Sequence, residues 1–261
     1  MVEIHDVTYR VGGRDLIAGI SAGFEPGRLH LVIGPNGAGK STLIKVLARL
    51  LRPASGRVAY AGAEIAHESE ASLARRRAVL SQAVEVAFPL LVHEVVAMGR
   101  YPHFGARPSS EDAAIVDEVM DYFDVADMAE RAYPTLSGGE KQRVNFARVL
   151  AQVWRPLAGR ERVLFLDEPL TFLDIGHQLD FLRKIVAMLA ASPDLVVIGV
   201  LHDLNLAAQF ADRLLLLDGG RLMAAGTRAD VLTPELIRSA FGVHPVVTTV
   251  PGTDRTHLVF E

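Results

Sequence analysis

Apolar runs of strand length alternate with helical patterns along much of the chain. Residues 28–33 (RLHLVI) read as a short buried strand, and residues 162–166, 195–201 and 213–217 read the same way. Between them lie patterns with a period near 3.6. Residues 41–51 place Leu43, Ile44, Leu47 and Leu51 on one helical face; residues 175–190 and 204–210 are likewise helical. Such alternation predicts an α/β fold with a mostly parallel sheet covered by helices on both faces.

Two regions depart from that rhythm. Residues 1 to about 25 and 56–61 are short alternating pieces broken by glycine turns, as in an antiparallel sheet. Residues from about 92 to 152 are mostly helical, with no strong strand run. We therefore expect one domain over 1–261. Residues 1–82 and 153–240 form the α/β core with its antiparallel part, 83–152 a helical insertion, and 241–261 a short C-terminal β extension. The tail after Pro234 is expected to return to strands, at 246–250 and 257–260.

Composition narrows the function classes. Half the residues are apolar, and 27 basic against 31 acidic residues give a formal net charge of −4. That balance argues against wholesale nucleic-acid binding, so no nucleic-acid partner is expected. Cysteine is absent, which excludes disulfides and thiolate metal sites and suits a reducing compartment. The N-terminus shows no basic region followed by an apolar run, so no secretory signal is expected. No apolar run approaches the roughly 20 residues of a spanning helix.

The chemistry is concentrated in a few short motifs. Gly34, Pro35, Asn36, Gly37, Ala38, Gly39, Lys40, Ser41 and Thr42 match G-x-x-x-x-G-K-[ST], after a predicted strand and before a predicted helix. Glycines there let backbone N–H groups converge on phosphate oxygens, and the helix start adds partial positive charge. Lys40 would reach the outer phosphates, Ser41 would hold Mg2+ through its hydroxyl, and Thr42 would assist. Downstream, VLFLDE ends a buried strand with two acids. Asp167 is placed to position Mg2+, and Glu168 to polarise a water against the γ-phosphate.

The stretch LSGGEKQRV, from Leu136, poses a separate question. Ser137 and Glu140 make a capping box at a helix start. They leave Gly138 and Gly139 unexplained, since glycine costs up to about 1 kcal/mol against alanine inside a helix. A bare first turn makes sense where a phosphate must approach the backbone. The chain thus has two phosphate-facing helix starts but one glycine loop of the first kind. A two-fold dimer, in which the second element of one copy closes the nucleotide held by the other, resolves the mismatch.

LSGGEKQRV resembles the signature motif of the ATP-binding-cassette (ABC) ATPases, and the other motifs appear in that family's order over about residues 2–240. The resemblance implies a P-loop core that binds ATP and Mg2+ and a head-to-tail homodimer. In that dimer Ser137, Gly138, Gly139 and Glu140 complete the partner's site. It implies that Gln82 contacts magnesium and the attacking water, and that His202, in HDLN, senses the γ-phosphate. It also implies that Asp174 helps the subunits communicate and that Tyr9 stacks on adenine, with Val11 and Arg14 as alternative lining. Phe172 departs from the small residue common there.

A cassette without a membrane span implies a separate polytopic permease and, indirectly, a periplasmic substrate-binding protein. The subunit would lie on the cytoplasmic side of a bacterial inner membrane. Residues 100–103 (RYPH), the HDLNLAAQFADRLLLLDGGRLMAAG stretch, the long segment 152–162 and GVHP at 242–245 look most like haem-importer ATPases. Iron-siderophore and cobalamin import are the alternatives of the same class. Non-transport ABC ATPases of DNA repair or translation are another class, disfavoured by the lack of a coiled coil and of a second cassette. His93 and His103 are expected on a groove that receives a cytoplasmic helix of the permease.

Overall fold

The computed structural model describes residues 1–80, 89–249 and 256–260. Along the chain, β1 (Val2–Val11) and β2 (Arg14–Phe24) lead into β3 (Leu29–Ile33) and α1 (Lys40–Leu47). Next come β4 (Ser55–Tyr60), β5 (Ala63–Glu64), α2 (Glu70–Arg76) and β6 (Arg77–Leu80). A helical stretch follows, with α3 (Val92–Ala97), α4 (Ser110–Tyr122) and α5 (Gly138–Val153). The chain returns through β7 (Arg162–Asp167), α6 (Ile175–Ala191), β8 (Leu195–Val200), α7 (Leu204–Phe210), β9 (Arg213–Asp218) and β10 (Arg221–Gly226). It closes with α8 (Arg228–Val231), α9 (Pro234–Phe241), β11 (Pro245–Thr249) and β12 (Thr256–Phe260).

The central sheet has the order β10-β9-β3-β8-β7-β6, parallel throughout except for the antiparallel β10 edge. A second, antiparallel sheet has the order β2-β1-β4-β5. The period-2 alternation of the central strands sorts their side chains between two cores. Leu164 and Leu166 join the core beneath the helical layer, with α5 and α6. Val163 and Phe165 face α1 and the antiparallel sheet. Burial on both faces explains why these strands read as continuous apolar runs. No helix among the described residues is long and apolar enough to cross a membrane.

One expectation needs correction and another an addition. The helix predicted over 41–51 stops at Leu47, because Arg49 turns left-handed (φ 53°). Its guanidinium is drawn to the Ile65 and Glu68 carbonyls, 2.5 Å from each, and to Glu70 at 2.7 Å. The tail carries the two expected strands as β11 and β12, but α9 precedes them. Thr233 caps it, Pro234 occupies its first turn, and Gly242 (φ 70°) ends it in the left-handed conformation. Proline at the start and glycine past the end is a helix signature that was present in the sequence.

Arg162 joins the helical layer to the sheet. It is 1% exposed and grips Asp194 through two bonds, Nε to Oδ2 at 2.7 Å and Nη2 to Oδ1 at 2.8 Å. Its Nη1 donates to the Val153 and Trp154 carbonyls at the end of α5. Arg162→Ala strands a carboxylate and two carbonyls, and is expected to cost about 3 kcal/mol, read as a lower urea midpoint. The Arg162 hydrogen bond, working against burial, holds the Asp194 carboxyl below its usual range. A depressed folded pKa stabilises above the ordinary carboxylate value and is lost as pH falls through the folded value. The gap between variant and wild type should therefore close only in strong acid.

Candidate functional site

The site lies at the C-terminal ends of the parallel strands, where an open α/β sheet leaves a crevice. The loop between β3 and α1 is built around glycines that nothing else could replace. A Cβ at Gly34 (φ 149°) would meet the Leu217 carbonyl oxygen at 2.1 Å, and one at Gly39 (φ 94°) the Leu16 carbonyl oxygen at 2.7 Å. The loop is thus pressed between β9 and β2.

Lys40 points back into this loop. Its Nζ donates to the carbonyls of Gly34 at 2.8 Å and Pro35 at 2.9 Å. Burial lowers its pKa, while Glu168 and Asp167 pull the other way. Beside it, Ser41 Oγ donates to Asp167 Oδ1 at 2.7 Å, which brings together two sequence-predicted metal ligands 126 residues apart. Burial pushes the Asp167 carboxyl up, opposed by the Ser41 bond and by Lys45 and Lys40.

Glu168 follows at the end of β7 and is left-handed at φ 53°. Its Oε1 lies 2.8 Å from Nε2 of His202, just past β8. A non-glycine residue at such a φ carries strain, and such strain concentrates at functional sites. Asn36 to Thr42, Glu168 and His202 all line one cleft of about 310 Å³. Leu16 of β2 lines it too. Sequence reading missed Leu16, because a single leucine in an alternating strand carries no distinguishing mark. Tyr9 is half-buried on β1, opposite Ile17, and packs against the core rather than lining this cleft. Gln82 lies outside the described residues.

The second glycine element stands apart from the cleft. Ser137 Oγ accepts from the Glu140 N–H at 3.3 Å, and Glu140 Oε2 accepts from the Ser137 N–H at 2.7 Å, so the capping box is complete. The Ser137 N–H, and after it Arg131, hold the Glu140 carboxyl down to about 2. The first turn of α5 sits against the segment after Glu168. Phe172 (φ 68°) is 77% exposed, and its Cβ is 3.8 Å from where a Gly138 Cβ would be. Gln142 of α5 donates to the Pro169 carbonyl at 2.7 Å, a tie that no motif announced. Asp174 caps α6, accepting from the His177 N–H and ring nitrogen, each at 2.9 Å. None of Ser137, Gly138, Gly139, Glu140 and Asp174 lines this chain's own cleft.

A larger groove of about 840 Å³ opens in the helical layer, with Ala97, Phe104, Val116 and Met120 among its walls. His93 and Tyr101 line it. His103 does not: its Nε2 is 2.7 Å from the Gln152 carbonyl, so it braces α5 instead.

The model of the ABC transporter family matches residues 17–171. The chain belongs to that family. It is 47% identical to the hemin import ATP-binding protein HmuV of Gloeobacter violaceus, over 96% of this chain and 90% of that one. It is 44% identical to the HmuV of Pseudomonas fluorescens, over 96% of each chain. Among solved structures, an inward-facing metal-chelate type ABC transporter superposes with a TM-score of 0.82 at 22% identity, covering 100% of this chain and 96% of the other. The cassette MJ1267 in its ADP conformation gives 0.76 at 21% identity, over 91% and 97%. These likenesses establish the ABC ATPase fold, and nucleotide binding is the business of that family.

Proposed function

We propose that this chain is the ATP-hydrolysing subunit of an importer, that two copies sandwich ATP head to tail, and that the cargo is haem. The observation that carries the hydrolytic part is the shared cleft: a phosphate loop, Ser41 with the buried Asp167 bonded behind it, and the Glu168–His202 pair meet at one space. The separate position of the Ser137–Gly139 turn supports the dimer, since a phosphate-ready helix start has no phosphate site of its own chain to serve. The haem assignment rests on relatives 39–47% identical over nearly the whole chain; iron-siderophore or cobalamin is the alternative cargo.

In this reading the Asn36–Thr42 amides and Lys40 bind the triphosphate, and the adenine reaches out of this cleft to the solvent-facing side of the half-buried Tyr9. Ser41 and Asp167 offer hard oxygens that fit a magnesium ion, which would neutralise phosphate charge when bound. Glu168 accepts a proton from the attacking water, and His202 orients Glu168 and meets the γ-phosphate. Gln82 and Asp174 link this centre to the partners. Loss of the γ-phosphate removes the charge that Ser137, Gly138 and Gly139 of the opposing copy engage, and the dimer opens.

The partners are a second copy and a polytopic permease at the cytoplasmic face of the inner membrane, fed by a periplasmic binding protein. The permease helix is received in the groove of the helical layer. Tyr101, 60% exposed on its wall, is expected to be a coupling contact. Tyr101→Ala should cut ATP-driven uptake in vesicles about tenfold while leaving nucleotide affinity within twofold of wild type; equal loss of both would remove the groove from this role. The cargo is tested in proteoliposomes holding the chain and its permease. ATP-dependent haem uptake is expected, and uptake of a siderophore or cobalamin instead would overturn the assignment.

A further inference from the structure

His202 stands between the buried strand β8 and the short helix α7, so the first turn of α7 sets where the imidazole can sit. Asp203 caps that turn: its Oδ1 accepts from the N–H groups of Asn205 at 2.8 Å and Leu206 at 2.9 Å. Asn205 bonds outside the turn, to β12 (Thr256–Phe260). Its Nδ2 donates to the Leu258 carbonyl at 3.1 Å, and its Oδ1 accepts from the Leu258 N–H at 2.8 Å. One primary amide thus satisfies both backbone groups of one residue, as a neighbouring strand would.

Leu258 belongs to β12. Among the described strands, β11 and β12 pair only with each other. An isolated two-stranded hairpin is marginal in water and needs an anchor. Leu258 provides part of one, since its side chain is 1% exposed in the same core as Leu204, Leu206 and Ala207 of α7. Pro245 is buried too, at the start of β11 where it leaves α9, while Val246, Val259 and Phe260 are exposed. The Asn205 amide supplies the polar half of the anchor, 53 residues from Leu258 along the chain.

We propose that Asn205 is a positioning residue: it clamps the C-terminal hairpin to the first turn of α7 and thereby holds His202 against Glu168 for hydrolysis. The proposal rests on the role given to His202 above. The mechanical logic is short. Asp203 ties the turn from inside, and Asn205 ties the same turn to the hairpin. Without the second tie, the turn is free to carry His202 away from the 2.8 Å contact with Glu168. Neither Asn205 nor Leu258 lines the nucleotide cleft, so the loss should fall on turnover and not on binding.

Steady-state ATP hydrolysis by the full-length chain is measured for wild type, N205A, N205D, H202A and the N205A/H202A double variant. All assays run well below each variant's unfolding transition. H202A is expected to lower kcat. N205A is expected to lower kcat about tenfold with KM for ATP within twofold of wild type, an effect within the range of contact couplings. N205D keeps an acceptor for the Leu258 N–H but sets its other oxygen against the Leu258 carbonyl, so it should be as slow as N205A. The double variant should be no slower than H202A alone. Wild-type kcat in N205A, or a double variant slowed by the product of the two single effects, would overturn the proposal. Wild-type kcat in H202A would instead overturn the reading of His202 on which it rests.

Discussion

Glu168→Gln is expected to slow ATP hydrolysis at least about a hundredfold while leaving ATP binding intact, because it removes a base and almost nothing else. The amide has the shape of the carboxylate. It keeps an oxygen to accept from His202 and places no larger group in the cleft. What it cannot do is take the proton of the attacking water. The left-handed backbone at Glu168 (φ 53°) holds the side chain at the strand end whichever residue is present, so loss of position is not an alternative cause. Two further consequences follow from the proposed dimer. With the γ-phosphate kept in place, the Ser137–Gly139 turns of the two copies stay engaged. ATP-loaded E168Q should therefore elute at twice the monomer mass, where wild type returns to monomer after turnover. A variant that hydrolyses at the wild-type rate removes Glu168 from its role. One that stays monomeric when saturated with ATP removes the sandwich.

The chemistry was legible in the sequence wherever a motif is local. Lys40, Ser41 and Thr42 are adjacent, and their loop is specified by glycines whose Cβ atoms would collide with Leu217 and Leu16. Asp167 and Glu168 end a run of buried strand residues, and the period-2 split of Val163, Leu164, Phe165 and Leu166 between two cores accounts for that run. The Ser137–Glu140 box was also readable, because both partners lie within one helical turn. Illegible parts depended on distant partners. Nothing near Arg49 announces that the carbonyls of residues 65 and 68 will pull it out of a helix. His103 looked like a groove residue because its bond to Gln152 is made 49 positions away. Asn205 sits inside HDLN, yet its work is done on Leu258, which local pattern cannot connect to it. α9 differs in kind: its Thr-Pro start and Gly242 stop are local signals, legible beside the two strands that follow it.

Lys40→Ala should weaken ATP binding about a hundredfold, or about 2.7 kcal/mol, measured by titration calorimetry without turnover. The size follows from what Lys40 now does and what it would give up. The residue is 5% exposed, and its ammonium donates to two loop carbonyls, Gly34 and Pro35, at 2.8 and 2.9 Å. A triphosphate offers stronger, charge-assisted acceptors, so the same Nζ turns from neutral carbonyls to an anion with little new ordering. Burial already depresses its pKa, which marks the charge as incompletely compensated by Glu168 and Asp167. A bound phosphate would supply that compensation. The sign is then fixed: nucleotide should raise the Lys40 pKa, and wild-type affinity should fall as pH rises through the depressed pKa of the free protein, below the ordinary lysine range, while that of K40A, lacking the group, should not follow it. Alanine leaves the backbone amides of Asn36 to Thr42 in place, so residual binding is expected rather than none. Lys40→Arg keeps the charge but adds a planar fork where one nitrogen fits between two carbonyls, and should restore only part of the affinity. Equal affinity in wild type and K40A would mean that the loop binds phosphate through its amides alone, and that the lysine serves only to hold the loop shut.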